Sequence, residues 1–206
     1  MAKVSRTARR ISAKGQQRRQ SIITAASELL LEQGFSAVSH RTVADRARIP
    51  LAATTYYFSS LEDLMGEALH ELARGWTAQA NAAVEALPAR LGSTQEVVAA
   101  ILSIMVLSPT DRTATDSASL LVFYERYLES ARHPHLRDAV RTFNAQLDEL
   151  IIQILARADL PPGLESARLV LAVADGALLR AVAEGAAVNT VAPTIHQLVE
   201  QLQQCR

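Results

Sequence analysis

The 206-residue sequence holds a single cysteine, Cys205, one position from its C-terminus. That excludes a disulfide framework and a thiolate zinc site, and it fits a reducing, cytoplasmic setting. The longest apolar run, Val97 to Leu107, is broken by Ser103 and falls far short of the roughly 20 residues that span a bilayer. The basic, polar N-terminus has no apolar core of the kind a secretory signal needs. Net charge is lacking too, since 21 Lys and Arg balance 21 Asp and Glu. No phosphate-binding glycine loop, metalloprotease motif or nucleophile–base–orienter set occurs, so nothing marks an enzyme.

What is present is apolar and helical. Hydrophobic residues make up 49% of the chain, too many for a disordered protein. Ala and Leu dominate, apolar positions recur at three and four residues, and no strand-like alternation of useful length is found, so the expected class is all-α. The periodicity predicts helices from about Gln17 to Gln33, from Ser39 as N-cap to about Ala47, from Leu51 to Tyr57, and from Leu61 to about Leu87. Further helices are expected at about 94–107, 115–132, 135–158, 165–186 and 193–204. Pro109, Pro134, the Pro161-Pro162-Gly163 stop and Pro193 separate them. Residues 1–16 read as a basic flexible arm, 17–63 as one unit and 64–206 as another, with the long fourth helix shared.

Charge is divided unevenly along the chain. Met1 to Ser60 carries ten basic residues against three acids, and the remainder carries 11 against 18. A basic head on an acidic body points to a polyanion at one end only. In that head, two short helices with a tight turn follow a longer supporting helix, the pattern of a helix-turn-helix. The second short helix reads Leu51-Ala52-Ala53-Thr54-Thr55-Tyr56-Tyr57-Phe58. Small residues permit close approach to a duplex, Thr54 and Thr55 offer hydroxyls and methyls to base edges, and the tyrosine hydroxyls reach phosphates. Phe58 is expected to turn inward. His40, beside Arg41, suits a base or phosphate contact as well as it suits an idle surface position.

The ordered set Ile22/Ile23–Ala26–Leu30, Gly34-Phe35, Ser39-His40-Arg41-Thr42-Val43-Ala44, Ala47, Ile49, Tyr57-Phe58 and Leu64 resembles the tetracycline-repressor (TetR) family of bacterial transcriptional regulators over about Arg18 to Leu69. The resemblance implies an N-terminal three-helix helix-turn-helix domain joined to a C-terminal helical ligand-binding and dimerisation domain. It implies that Ser39 and Arg41 contact DNA backbone, that Ala52 to Tyr56 face the major groove and that Tyr57 meets phosphate. Thr55 stands where the family usually has an aromatic, and Leu61 where a lysine often meets phosphate.

In the body, Leu136, Val140, Phe143, Leu147, Leu150, Ile151 and Ile154 form one stripe fit for a bundle core. Ala174, Ala177, Leu178 and Ala181, with Ile195, Leu198, Val199 and Leu202 on the last helix, suit either intrachain core or, as the resemblance implies, a dimer joined by the final two helices. Trp76, Met105, Leu120, Phe123, Tyr124 and Tyr127 concentrate aromatics in an aromatic-poor chain, a candidate pocket for an apolar or aromatic effector as well as plain core. Glu125, Glu129, His133 and His135 have ligand chemistry. Their spacing is common on solvated faces, and no metal or other cofactor is expected. Asp175 sits in an apolar run, where a carboxylate needs a partner.

The resulting expectation is a homodimeric, effector-responsive regulator of a double-stranded DNA operator, most simply a repressor, with no membrane partner. The same fold acting as an activator, a helical enzyme or metal-binding bundle, and a protein-binding adaptor remain alternatives.

Overall fold

A serine hydroxyl starts most of the helices in the head and along the central axis. The computed structural model describes residues 12–106 and 117–204; the arm as far as Ile11, the Pro109 loop and Cys205 lie outside them. Ser12 caps α1 (Ala13–Gln33), its oxygen accepting from the Gly15 amide at 3.2 Å. The helix therefore begins four residues before the expected Gln17. α1 ends at Gly34, whose φ of +78° is cheap only for glycine.

α2 (His40–Ala47) begins with a capping box in which Ser39 and Thr42 satisfy each other's amides. Arg48 then adopts a left-handed conformation that turns the chain into α3 (Leu51–Tyr57). Ser60 caps α4 (Leu61–Glu85), with Glu62 and Asp63 in the first turn where the helix dipole favours anions. At the other end of α4, the Arg157 guanidinium donates to the Val84 and Leu87 carbonyls and closes the helix before the expected Leu87.

The body adds α5 (Thr94–Met105), α6 (Ser117–Arg132), α7 (Arg137–Arg157), α8 (Leu164–Ala183) and α9 (Ala192–Gln204). The segment expected to start α7 is instead a 3-10 turn, Pro134–Leu136, because proline's missing amide suits a first turn better than a helix interior. Every regular element among the described residues is helical. None is long and apolar enough to cross a membrane.

Ile22, Leu30, Val43, Phe58 and Leu64 fill the core of the head, and Phe58 points inward as expected. The α7 stripe fills the body together with α4, α5, α8 and α9. One expectation is corrected here. Ala174, Leu178, Ala181, Ile195, Leu198, Val199 and Leu202 are all buried within the single chain, and Ala177 is packed against the same core. Their side chains therefore belong to the intrachain core that the sequence leaves as an alternative. The apolar residues α8 does expose are Leu164, Leu169 and Leu179, with Ala172 and Gly176 between the last two on the same side.

A charge at Leu198 would have to be desolvated in that core. Leu198→Glu is expected to abolish the cooperative urea transition, whereas Leu179→Glu keeps the native helix content by circular dichroism. A native urea midpoint for Leu198→Glu would show that α9 is not packed in this way.

Candidate nucleic-acid interface and effector cleft

The short helix α3 divides its residues between two sides. Leu51, Ala52, Thr55 and Tyr56 are exposed, Ala53 and Tyr57 are half-buried, and Thr54 is fully buried. The Thr54 hydroxyl donates to the Leu51 carbonyl at 2.8 Å. The expectation that Thr54 touches a base is thereby corrected: two residues before Tyr56, its side chain lies on the opposite side of the helix. Thr55 remains on the outer face, donating only to Ala52 of its own helix. Tyr56, 72% exposed, stands edge-on to Tyr57 with ring centroids 5.1 Å apart.

Ser39, His40 and Arg41 gather at the start of α2. The Ser39 oxygen is committed to the Thr42 amide at 3.1 Å, Arg41 is exposed, and the His40 Nδ1 is buried with no hydrogen-bond partner among the described residues. The basic residues of the head fall into two groups. Arg46 donates to Glu32 at 2.9 and 2.5 Å and reaches Glu28 at 3.4 Å, pinning α2 to α1. The hydrogen bond from Arg46 holds the Glu32 carboxyl below the usual carboxylate range, and the same bond raises the Arg46 pKa. Arg19 donates to Glu67 at 2.7 Å and lies 5.0 Å from the Phe58 ring centroid, tying α1 to α3 and α4. Lys14, Arg18, Arg41 and Arg48 are exposed and form no ion pair among the described residues.

The aromatic residues of the body do assemble. Phe123 meets Trp76 at 5.4 Å, Tyr124 at 5.3 Å and Tyr127 at 6.5 Å, all edge-to-face. Phe143, expected only as bundle core, joins them 5.7 Å from Phe123. Trp76, Met105, Leu120, Phe123 and Tyr124 are buried.

A cleft of about 520 Å³ opens beside this cluster between α6, α7 and α8. Of the six expected pocket residues, Tyr127 lines it. Tyr124 reaches its wall by donating to Asp175 at 3.1 Å. The other lining groups include Asn144, which accepts from the Tyr127 hydroxyl at 3.0 Å, and Asp148, which accepts from Arg168 at 3.2 Å. Sequence reasoning missed Asn144, Asp148 and Arg168. The heptad-like placement of Asp148 within an apolar stripe was the available signal.

Of the groups with ligand chemistry on α6, Glu129 lies 3.4 Å from His133 and pairs with Arg132 at 2.6 Å. Glu125 belongs elsewhere. Its carboxylate lies 3.1 Å from where a Gly34 Cβ would sit, so α6 comes close to the end of α1 at a residue without a side chain.

Comparison with known proteins gives matches along both parts of the chain. Residues 22–68 match the model described as bacterial regulatory proteins, tetR family. Residues 95–203 match the model described as tetracyclin repressor-like, C-terminal domain. The HTH-type nicotine-responsive transcriptional repressor HdnoR of Paenarthrobacter nicotinovorans is 28% identical over 141 residues, 68% of this chain and 69% of its own. Multidrug binding protein EbrR complexed with proflavin is 29% identical with a TM-score of 0.66, covering 88% of this chain and 99% of its own. EbrR has also been solved with ethidium and malachite green. A TetR-family protein of Streptomyces coelicolor is 30% identical with a TM-score of 0.64, covering 88% of this chain and 98% of its own.

The two threonines of α3 separate stability from surface chemistry. Thr54→Ala is expected to cost about 1–2 kcal/mol in urea unfolding, because a buried methyl and an internal hydrogen bond are lost. Thr55→Ala should stay within about 0.5 kcal/mol of the parent. Equal costs at both positions would contradict the two-sided description of α3.

Proposed function

The chain belongs to the TetR family of DNA-binding transcriptional regulators, which are not enzymes, and from that premise we propose that it is a repressor. In this reading it holds a near-palindromic operator as a homodimer and is released by a nitrogen-containing aromatic effector. The observation that carries the DNA half is the division of α3. Leu51, Ala52, Thr55 and Tyr56 face outward while Thr54 and Phe58 anchor the helix from behind. A helix held in this way presents a small, partly hydroxylated ridge to a major groove. Arg41, with His40 and Ser39 beside it, and the Tyr57 hydroxyl then position the head on phosphates. Lys14, Arg18 and Arg48 supply further sequence-independent attraction. Residues 17–63, extended back to Ala13, act as the DNA-binding unit, and 64–206 as the effector-binding and dimerisation unit.

The dimer is assigned to α8, through its outer seam Leu169, Ala172, Gly176 and Leu179 rather than its buried face. Two heads related by a two-fold axis read half-sites about 34 Å apart or somewhat more. The effector enters the cleft between α6, α7 and α8, stacks on Tyr127 and meets the Asp175 carboxylate. Nitrogenous aromatics are the shared chemistry of the proflavin, ethidium and malachite green bound by EbrR and of the nicotine that HdnoR answers to. Release requires only that the effector prefer the non-binding arrangement of the heads, with a coupling of about 1–3 kcal/mol.

Incubated with a random duplex pool at moderate salt, the full chain should enrich an inverted repeat. Its affinity for that repeat should fall steeply with salt, and Arg41→Ala should reduce the slope of log affinity against log salt by about one. Retention with no shared sequence would defeat the operator reading. For the effector half, proflavin binding followed by fluorescence polarisation should weaken about tenfold in Asp175→Asn, roughly 1.4 kcal/mol. Unchanged affinity would move the effector away from this cleft.

A further inference from the structure

A cluster of histidine and carboxylate side chains lies where the head meets the body. The short turn Pro134–Leu136 between α6 and α7 is held against α4 by Leu136, which is buried with Leu69, Ala139 and Val140. Leu136 also faces Gly66, where a Cβ would lie 3.9 Å from the leucine's Cδ2, at ordinary van der Waals contact. Glu62, Gly66 and Leu69 share one face of α4, at the four- and three-residue spacing that brings side chains into line. The same packing that seats Leu136 therefore sets Glu62 opposite the histidines on either side of Pro134.

The result is a set of three donors from two elements far apart in sequence. The ligand atoms of Glu62, His133 and His135 all lie within 4.8 Å of one another. His135 Nδ1 is 3.9 Å from a Glu62 oxygen, and the two imidazole rings are 5.7 Å apart. Glu129, 3.4 Å from the His133 Nε2, stands behind that ring as a carboxylate able to orient it. Two imidazoles and one carboxylate, with room for water, suit a divalent first-row metal better than a hard cation, which prefers oxygen alone. Metal–ligand bonds of about 2.0–2.2 Å require these side chains, two exposed and His133 half-buried, to draw in by only about 1 Å. The donors that the sequence grouped on α6 were incomplete because Glu62 lies some seventy residues earlier.

We propose that Glu62, His133 and His135 bind one divalent transition-metal ion of the zinc, nickel or cobalt class, and that the ion ties the first turn of α4 to the α6–α7 turn. Only Phe58, Ser59 and Ser60 separate α3 from α4, so the ion acts on the helix that directly follows the DNA-facing one. It constitutes an input separate from the aromatic cleft.

The test uses the full chain without an affinity tag, and it needs no DNA. Co²⁺ is titrated while its visible absorption is recorded, and Zn²⁺ is then added as competitor. The expected result is one Co²⁺ per chain, displaced by Zn²⁺. Affinity should fall at least about tenfold in both His135→Ala and Glu62→Gln and stay unchanged in His196→Ala, with native circular dichroism throughout. No saturable Co²⁺ signal, or loss in His196→Ala in place of His135→Ala, overturns the site. Loss in His135→Ala with wild-type affinity in Glu62→Gln overturns the bridge to α4.

Discussion

One helix has to serve two cores. The buried residues Leu64, Ala68, Leu72, Trp76, Ala80 and Val84 of α4 recur every four positions. Four residues advance slightly more than one turn, about 40° around the axis, so over this span the buried stripe winds through roughly 200°. α4 can therefore face α1 at its beginning and α5 and α7 towards its end without a break. At the head end the buried Ser27 hydroxyl lies 3.1 Å from the Ala68 carbonyl, and Arg19 bonds Glu67. At the far end Arg157 closes the helix. Burial and hydrogen bonds thus fix this one rod at both ends, in the head and in the body.

Electrostatics adds a second division of labour. Arg19 and Arg46 are spent inside the head, one against Glu67 and Phe58, the other against Glu28 and Glu32. They tie α1 to α2, α3 and α4, and half-exposed pairs of this kind contribute more to geometry than to stability. Lys14, Arg18, Arg41 and Arg48 stay exposed and without an ion pair among the described residues. In the body, Asp148 is buried and Asp175 half-buried, and Arg168 and the Tyr124 hydroxyl meet them. Charge inside an apolar bundle is expensive unless partnered, and here the partners form the wall of a cleft.

Much of this was legible in the residues. Ser39 starts α2 as its N-cap and α3 spans Leu51–Tyr57, both as expected. The gathering of Trp76, Phe123, Tyr124 and Tyr127 was legible as well. What misled was α8. An Ala- and Leu-rich helix carries apolar residues on more than one face, and periodicity alone does not say which face its own chain covers. Thr54 and Thr55 pose the same difficulty in miniature, since adjacent hydroxyls on a short helix differ by about 100° in direction and only the packing of α3 on α2 decides which one is buried.

The sequence by itself determined the all-α class, the order and most of the limits of the helices, the basic head and the family, because these depend on caps, breakers, periodicity and local charge. The tertiary structure decided which side of each helix is buried, which cations are already paired, and where Tyr127, Asn144, Asp148 and Asp175 border one cleft. It alone brought Glu62 to His133 and His135. Those outcomes depend on the rotation of one helix against another, which is set by how buried side chains such as Leu136 fit against others such as Leu69 and Val140. That fit is a property of pairs of surfaces and is written in neither strand of sequence alone.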